Sequence, residues 1–190
     1  MFDARALRDA FGAFLTGVTV VTSVNESGDP VGFTANSFTS VSLDPPLLLV
    51  CVAKTSRNCQ TLTAAEGFAI NILAEDQKDI SNTFARPVED RFAVVTWKMG
   101  PFGAPILDNV AAWFDCSLHQ VTEAGDHVIL IGRVEAFENS GRPGLGYARG
   151  GYFSPTLGEK TLLAGAEHGL LLGAVAERRG AILLVPDGNG

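Results

Sequence analysis

A mainly β architecture, an antiparallel barrel carrying helical insertions, is what this sequence predicts. Three observations carry that expectation. Short runs rich in β-branched residues are closed off by polar turns, as where residues 18–24 run into Asn25-Glu26-Ser27-Gly28-Asp29-Pro30. The run over residues 47–52 is apolar on both faces, as the centre of a sheet or barrel would be. Helical stretches fall between the strands without the regular alternation of a doubly wound sheet.

The elements follow in order. Residues 3–16 read as a helix, with Asp3 as the cap, Leu7, Phe11, Phe14 and Leu15 on one face, and Gly17 as the stop. A strand over 18–24 and a polar turn lead to a second strand from Val31 towards Phe38. After Pro45-Pro46 comes the apolar strand 47–52, then a short helix over 56–65 beginning at Ser56, then a strand over 68–73. A polar helix at about 75–84 gives way to an irregular segment through Arg91. Two longer strands, 111–121 and 127–138, flank the turn Glu123-Ala124-Gly125-Asp126. From Pro155 onward the chain is small and apolar, and residues 180–185 read as a strand before an open turn.

Composition narrows the function. The 190 residues suit one domain with a short appendage. With 14 basic against 21 acidic side chains and a net charge of −7, general nucleic-acid binding and a polybasic membrane surface are disfavoured. A local cluster of donors for an anionic small molecule is still allowed. The N-terminus carries no signal-peptide core, and no apolar run approaches the roughly 18 residues that span a bilayer. Cys51, Cys59 and Cys116 form no CxxC and read as reduced, mostly buried thiols of a cytoplasmic protein.

Most sequence motifs of catalysis are missing. Gly144-Leu145-Gly146-Tyr147-Ala148-Arg149 departs from a dinucleotide fingerprint by placing Arg where the third glycine belongs. No Walker A, GxSxG or HExxH pattern occurs, and the histidines are too scattered for a zinc site. The densest polar segment is Gly32-Phe33-Thr34-Ala35-Asn36-Ser37-Phe38-Thr39-Ser40-Val41-Ser42-Leu43-Asp44-Pro45-Pro46. Its hydroxyl and amide side chains either line a cleft for a flat polar heterocycle or a phosphate, or form a self-bonded turn.

That segment, followed by Val50-Cys51-Val52-Ala53-Lys54-Thr55-Ser56-Arg57-Asn58, resembles the signature of the flavin reductase-like, FMN-binding split-barrel family. Further likenesses come in order: Phe68-Ala69-Ile70-Asn71-Ile72-Leu73, Phe84, Gly125-Asp126-His127, and Arg149-Gly150-Gly151-Tyr152-Phe153. The resemblance covers about residues 3–154 and implies a Greek-key-like split β-barrel that is a homodimer with flavin at the subunit interface. It implies FMN or FAD as cofactor, with NADH or NADPH as the co-substrate. Thr34, Ala35, Asn36 and Ser37 would face the isoalloxazine and ribityl chain. Ser40, Cys51, Lys54, Thr55, Ser56 and Arg57 would hold the phosphate or pyrophosphate. His127 would serve the nicotinamide side as the catalytic residue, with Arg91 approaching the cofactor from the partner subunit and Tyr152 bordering the pocket.

The implied activity is NAD(P)H-dependent reduction of flavin for a partner flavin-dependent monooxygenase. Two alternatives stand beside it. One is a flavin-bound electron carrier or a reductase of a corrinoid, haem or iron chelate; the other is a non-enzymatic flavin-binding module. On this reading residues 1–154 form the barrel domain. Residues 155–190 are an extension, either the start of a second, Nudix-like domain or a remnant packed on the barrel.

Overall fold

The computed structural model describes residues 2–87 and 90–155. It opens with α1 (Ala4–Phe11), capped by Asp3, whose Oδ1 accepts from the Arg5 N–H at 2.9 Å. The helix stops at Gly12 instead of running to residue 16. The Gly12 carbonyl, which a longer helix would pair with Thr16, accepts from the Arg149 N–H at 2.8 Å. Thr16 itself is drawn off into a strand, so tertiary pairing outcompetes the helical pattern.

The strands and helices are then β1 (Thr16–Gly17), β2 (Thr19–Val24), β3 (Pro30–Ala35), β4 (Thr39–Leu43), β5 (Pro46–Ala53), α2 (Cys59–Ala64), β6 (Gly67–Ile72), α3 (Lys78–Ala85), β7 (Trp97–Met99), β8 (Pro105–Leu107), β9 (Ala112–Ala124), β10 (His127–Asn139), β11 (Gly146–Ala148) and β12 (Gly151–Phe153). Seven strands form one antiparallel sheet in the order β3-β2-β6-β9-β10-β5-β4. Smaller sheets join β1-β11-β12 and β7-β8. The second predicted strand ends at Ala35, and the remainder of that polar segment supplies β4, a strand the pattern did not announce.

One core draws on strands across the large sheet. Val21, Ala35, Leu48, Val50, Val52, Phe68, Ile70, Val128 and Leu130 are buried together, with Leu62 of α2 among them. Strands from β3 to β5 therefore curl around a shared apolar interior. On β5 the burial alternates: Leu48, Val50 and Val52 face this core, while Leu47, Leu49 and Cys51 are half-buried on the other side. Of the cysteines only Cys116 is buried; Cys51 is partly exposed on the outer side of β5, and Cys59, at the start of α2, is partly exposed while packing against the core. The expectation of three mostly buried thiols is corrected accordingly.

A buried polar clamp seats the short β7–β8 hairpin. Asn71 donates to the Val20 carbonyl and to Thr22 Oγ1, each at 3.1 Å, and its Oδ1 accepts from the Leu107 N–H at 2.8 Å. Thr22 in turn donates to the Pro105 carbonyl at 2.5 Å. Asp115, fully buried on β9, accepts from the Phe102 N–H at 2.7 Å through Oδ2, while its Oδ1 has no partner. Burial pushes the Asp115 carboxyl above its ordinary value, and backbone N–H donors oppose that shift.

Among the described residues no helix is long and apolar enough to cross a membrane. The predicted strand at 180–185 and the extension expected from residue 156 onward, Nudix-like or packed on the barrel, fall outside the described residues.

Two outcomes are expected. A Cβ at Gly132 would lie 2.7 Å from Phe68 Cζ and 2.9 Å from Cys116 Cβ. Gly132→Val should therefore lower stability by about 1–3 kcal/mol in urea unfolding, an overpacking cost. For Asp115 the folded value lies above the unfolded one, so the unfolded chain loses its proton first. Stability should fall as pH rises through that window. Asp115→Asn keeps an acceptor for Phe102 and should remove this part of the pH dependence when unfolding is measured across acid to neutral pH.

Candidate functional site

The site grows from the edge strand β3 and what its alternating side chains meet. Phe33 and Ala35 turn into the core, so Gly32 and Thr34 face outward against α3. Gly32 is close-packed there: a Cβ would lie 3.0 Å from both Phe84 Cε1 and the Val21 carbonyl. Thr34 donates to the Ser81 carbonyl at 2.7 Å. Its hydroxyl hydrogen is thus spent on α3, which leaves it an acceptor towards any ligand. Ser81 Oγ and Tyr152 OH lie 2.9 Å apart, and Tyr152 also donates to Asn82 Oδ1 at 3.2 Å. Thr34, Ser81 and Tyr152, together with Ala35, Asn36 and Tyr147, line a cleft of about 190 Å³.

Where β3 ends, Asn36 projects into solvent and Ser37 turns back onto β5. The Ser37 hydroxyl accepts from the Cys51 N–H at 3.0 Å and donates to the Cys51 carbonyl at 3.3 Å. Ser37 and Cys51 are therefore brought together as a seam between the two strands. Ser40 is exposed on β4, beside the register irregularity between Ser40 and Ser42.

At the other end of β3, the Gly32 carbonyl accepts from Asn58 Nδ2 at 3.0 Å and from Arg91 Nη1 at 2.7 Å. Arg91 also donates through Nε and Nη2 to the Arg86 carbonyl, at 3.1 and 2.6 Å. Arg91 is therefore held by its own chain, packed over β3. Gly32, Arg57, Asn58 and Arg91 contribute to a second cleft of about 200 Å³. Burial lowers the Arg91 pKa, and the positive charge of Arg57 lowers it further. Among the described residues neither arginine has a salt-bridge partner, and Asp90 spends Oδ1 on the Phe92 and Ala93 N–H groups.

Lys54 follows β5 and pairs with Glu123, while its N–H donates to the Asp126 carbonyl at 3.0 Å. Ser56 Oγ accepts from the Asn58 N–H at 3.3 Å, and Thr55 is exposed. Ser56 precedes α2 without capping it; the helix begins at Cys59, after Asn58. His127 opens β10 opposite Ala53, its Nδ1 at 2.7 Å from Asp126 Oδ1. The His127 hydrogen bond and charge hold the Asp126 carboxyl below its ordinary range, and Arg8 adds to the effect.

Sequence reasoning did not single out Asn58, Ser81 or Tyr147 as site residues. Tyr147 lies in the stretch with the failed glycine motif, Asn58 closes the Val50–Asn58 segment without a role of its own, and Ser81 carries no signal beyond being polar.

The profile of the flavin reductase like domain matches residues 11–156. The chain belongs to this family. It is 63% identical over its whole length to the stachydrine N-demethylase reductase subunit of Rhizobium meliloti, covering 82% of that protein. It is 53% identical to the reductase component of the flavin-dependent trigonelline monooxygenase of Acinetobacter baylyi, over 94% of this chain and 61% of that one. Among solved structures, the NADH:FAD oxidoreductase of Streptomyces globisporus, in complex with NAD and FAD fragments, superposes with a TM-score of 0.76 at 40% identity. That match covers 83% of this chain and 98% of the other. The chain spans about three fifths of some of its curated relatives, 59% of one Rhizobium meliloti homologue and 61% of the Acinetobacter protein.

The donor set fits a flavin nucleotide. Gly32 and Asn36 are separated by roughly 13 Å of extended strand. This spacing puts a polar cleft at one end and two neighbouring guanidinium groups at the other. Those like charges gain from an anion between them.

Replacing Ser37 by Ala removes both bonds to Cys51. The Cys51 amide should then exchange with deuterium about fivefold faster, the equivalent of a lost hydrogen bond of roughly 1 kcal/mol.

Proposed function

We propose that this protein uses NADH or NADPH to reduce FMN or FAD and supplies the reduced flavin to a flavin-dependent monooxygenase. The observation that carries the reading is the arrangement along β3, with Asn36 and the Ser37–Cys51 seam at one end and the neighbouring guanidinium groups of Arg57 and Arg91 at the other, in a chain of this family. The flavin, when bound, accepts hydride from the reduced nicotinamide and carries the electrons onward.

The chain's own residues bind, orient and screen. Asn36 offers its side-chain amide to the ring edge, where donors favour the negative charge of the reduced state. Ala35 supplies a flat apolar contact, and Thr34 and Tyr152 border the ring with hydroxyls already fixed on α3 and Asn82. Ser37 and Cys51 act by holding the two strands in register. Thr55, Ser56 and Arg57 receive the phosphate, joined by Arg91 approaching from the partner subunit; Lys54 joins them on breaking its exposed pair with Glu123. Ser40 contributes from β4.

His127 serves the incoming nicotinamide. With Asp126 on Nδ1, its Nε2 is directed away from the carboxylate. It positions; the proposal asks no proton transfer of it. Stacking the nicotinamide against the flavin and keeping water out are the remaining requirements.

The same reading has the curled sheet closing as a split barrel that pairs as a homodimer, in the cytoplasm, with residues 1–154 as the complete flavin-binding unit. Exposed apolar side chains on β4, Val41 and Leu43, fit such a pairing.

Anaerobic stopped-flow mixing of each pyridine nucleotide with the flavin-loaded protein tests the activity. The oxidised flavin band should bleach with at least one nucleotide, and the reduced flavin should separate from the protein on gel filtration. An oxidised band that persists with both nucleotides overturns the reductase reading. Bleaching with complete retention of the flavin favours an electron carrier.

A further inference from the structure

A cleft of about 240 Å³ is lined by the β7–β8 hairpin, the loop after β8 and the end of β10. Lys98, Asp108, Trp113, Glu138 and Arg142 supply its charged and aromatic lining. It shares no lining residue with either cleft beside β3, and none of these five side chains has a part in holding flavin or nicotinamide.

The walls are tied to one another by hydrogen bonds. The Ser140 N–H donates to the Ala111 carbonyl at 2.9 Å, and the Ser140 hydroxyl lies 2.9 Å from the carbonyls of Val110 and Ala111. Arg142 spans the same gap. Its Nη1 donates to the Asn109 carbonyl, and its Nη2 donates to Asp76 Oδ2 at 2.6 Å. Asn109 itself has a φ of 59°, a left-handed conformation uncommon for a residue with a Cβ. In the hairpin, Lys98 pairs with Ile106, and the Leu107 N–H is fixed on Asn71 Oδ1 at 2.8 Å. Trp113 packs against two apolar clusters and donates its indole N–H to Glu138 Oε2 at 3.3 Å. The cleft is therefore preformed.

Its lining combines opposite charges around one indole. Among the described residues Lys98, Asp108 and Glu138 have no salt-bridge partner, and Arg142 is paired with Asp76. A simple anion would gain from Lys98 and Arg142 but meet Asp108 and Glu138; a simple cation would face the reverse. Only a ligand carrying both charges uses the whole set. The volume lies below the roughly 300 Å³ at which drug-sized pockets begin, so the ligand is no larger than an amino acid.

We propose that this cleft binds a small zwitterion, a carboxylate and an ammonium group on one short skeleton. Lys98 takes the carboxylate, supported by the charge of Arg142. Glu138 and the Trp113 ring take the ammonium, by charge and by the attraction of a cation for an aromatic face. A free amino acid and a betaine with a methylated ammonium share this chemistry and differ in their N–H donors. The site is independent of the reductase reading.

Isothermal titration calorimetry on the full-length protein tests it, with proline and glycine betaine as the zwitterions. Acetate and tetramethylammonium supply each charge alone. At least one zwitterion should bind with a Kd below about 1 mM, and each single-charge ion at least tenfold more weakly. Lys98→Gln and Glu138→Gln should each raise the zwitterion Kd about tenfold, the loss of one charge-assisted contact. Both side chains are exposed, so both variants should keep the wild-type urea midpoint. Preference for glycine betaine would place a methylated ammonium on the indole; preference for proline would place N–H donors on Glu138. Either supports the proposal.

Failure of both zwitterions to bind below about 1 mM overturns it. So does acetate or tetramethylammonium binding as tightly as the zwitterion, which would assign the cleft to a single charge. A zwitterion Kd unchanged in either variant places the ligand elsewhere and also overturns it. The ligand series is read on the wild type, so it decides the claim even where a variant fails to fold.

Discussion

A single serine hydroxyl holds the two strands on which the candidate site depends. Ser37 both accepts from and donates to the backbone of Cys51, at 3.0 and 3.3 Å, and so ties the end of β3 to the middle of β5. Asn36 is displayed because its successor is anchored. The polar segment needs this anchor because its own side chains could otherwise satisfy one another as an isolated turn. With it in place, the residues after Ala35 reverse into β4 and pair with β5, and β3 keeps an outer flank for α3 and Arg91.

That flank explains how an acidic chain can hold an anion. Net charge describes the whole surface, whereas affinity for a phosphate is set by the few charges that share its cavity. Arg57 and Arg91 are close enough for one to depress the pKa of the other, and the Gly32 carbonyl orients the Arg91 guanidinium. Holding two like charges together is unfavourable without a ligand. The backbone carbonyls of Arg86 and Gly32 offset the cost for Arg91 while leaving part of its donor set free.

Much of the fold was legible because its strongest signals are local. β-branched density marked β2, and the turn Glu123-Ala124-Gly125-Asp126 between two longer runs marked β9 and β10, each within a few residues of its observed bounds. What escaped is non-local. α1 ends at Gly12 because Arg149, distant in sequence, takes its carbonyl. The short strands β1, β7, β8, β11 and β12 exist through pairing partners and have too few residues for a periodic pattern. In the site, the segment 34–37 and the Lys54–Arg57 loop stood out in the sequence as a polar group. The roles within that group did not. Thr34 and Ser37 have hydroxyls committed to Ser81 and Cys51, and Lys54 is paired with Glu123, partnerships that only the folded chain reveals. Arg91 rests on its own β3 through the Gly32 carbonyl, beside the aromatic contact of Phe84 with Phe92 at 5.1 Å, a packing that no local pattern announces.

On the proposed function, hydride passes directly from a docked nicotinamide to a flavin held on β3. The most direct measurement follows deuterium from NADH labelled on one or the other face of nicotinamide C4, under anaerobic turnover with excess flavin. A nucleotide docked in one orientation loses the label wholly from one stereoisomer and keeps it wholly in the other, which is the predicted result. Equal loss from both stereoisomers, or no consumption of either, would rule out direct transfer from a single docked orientation.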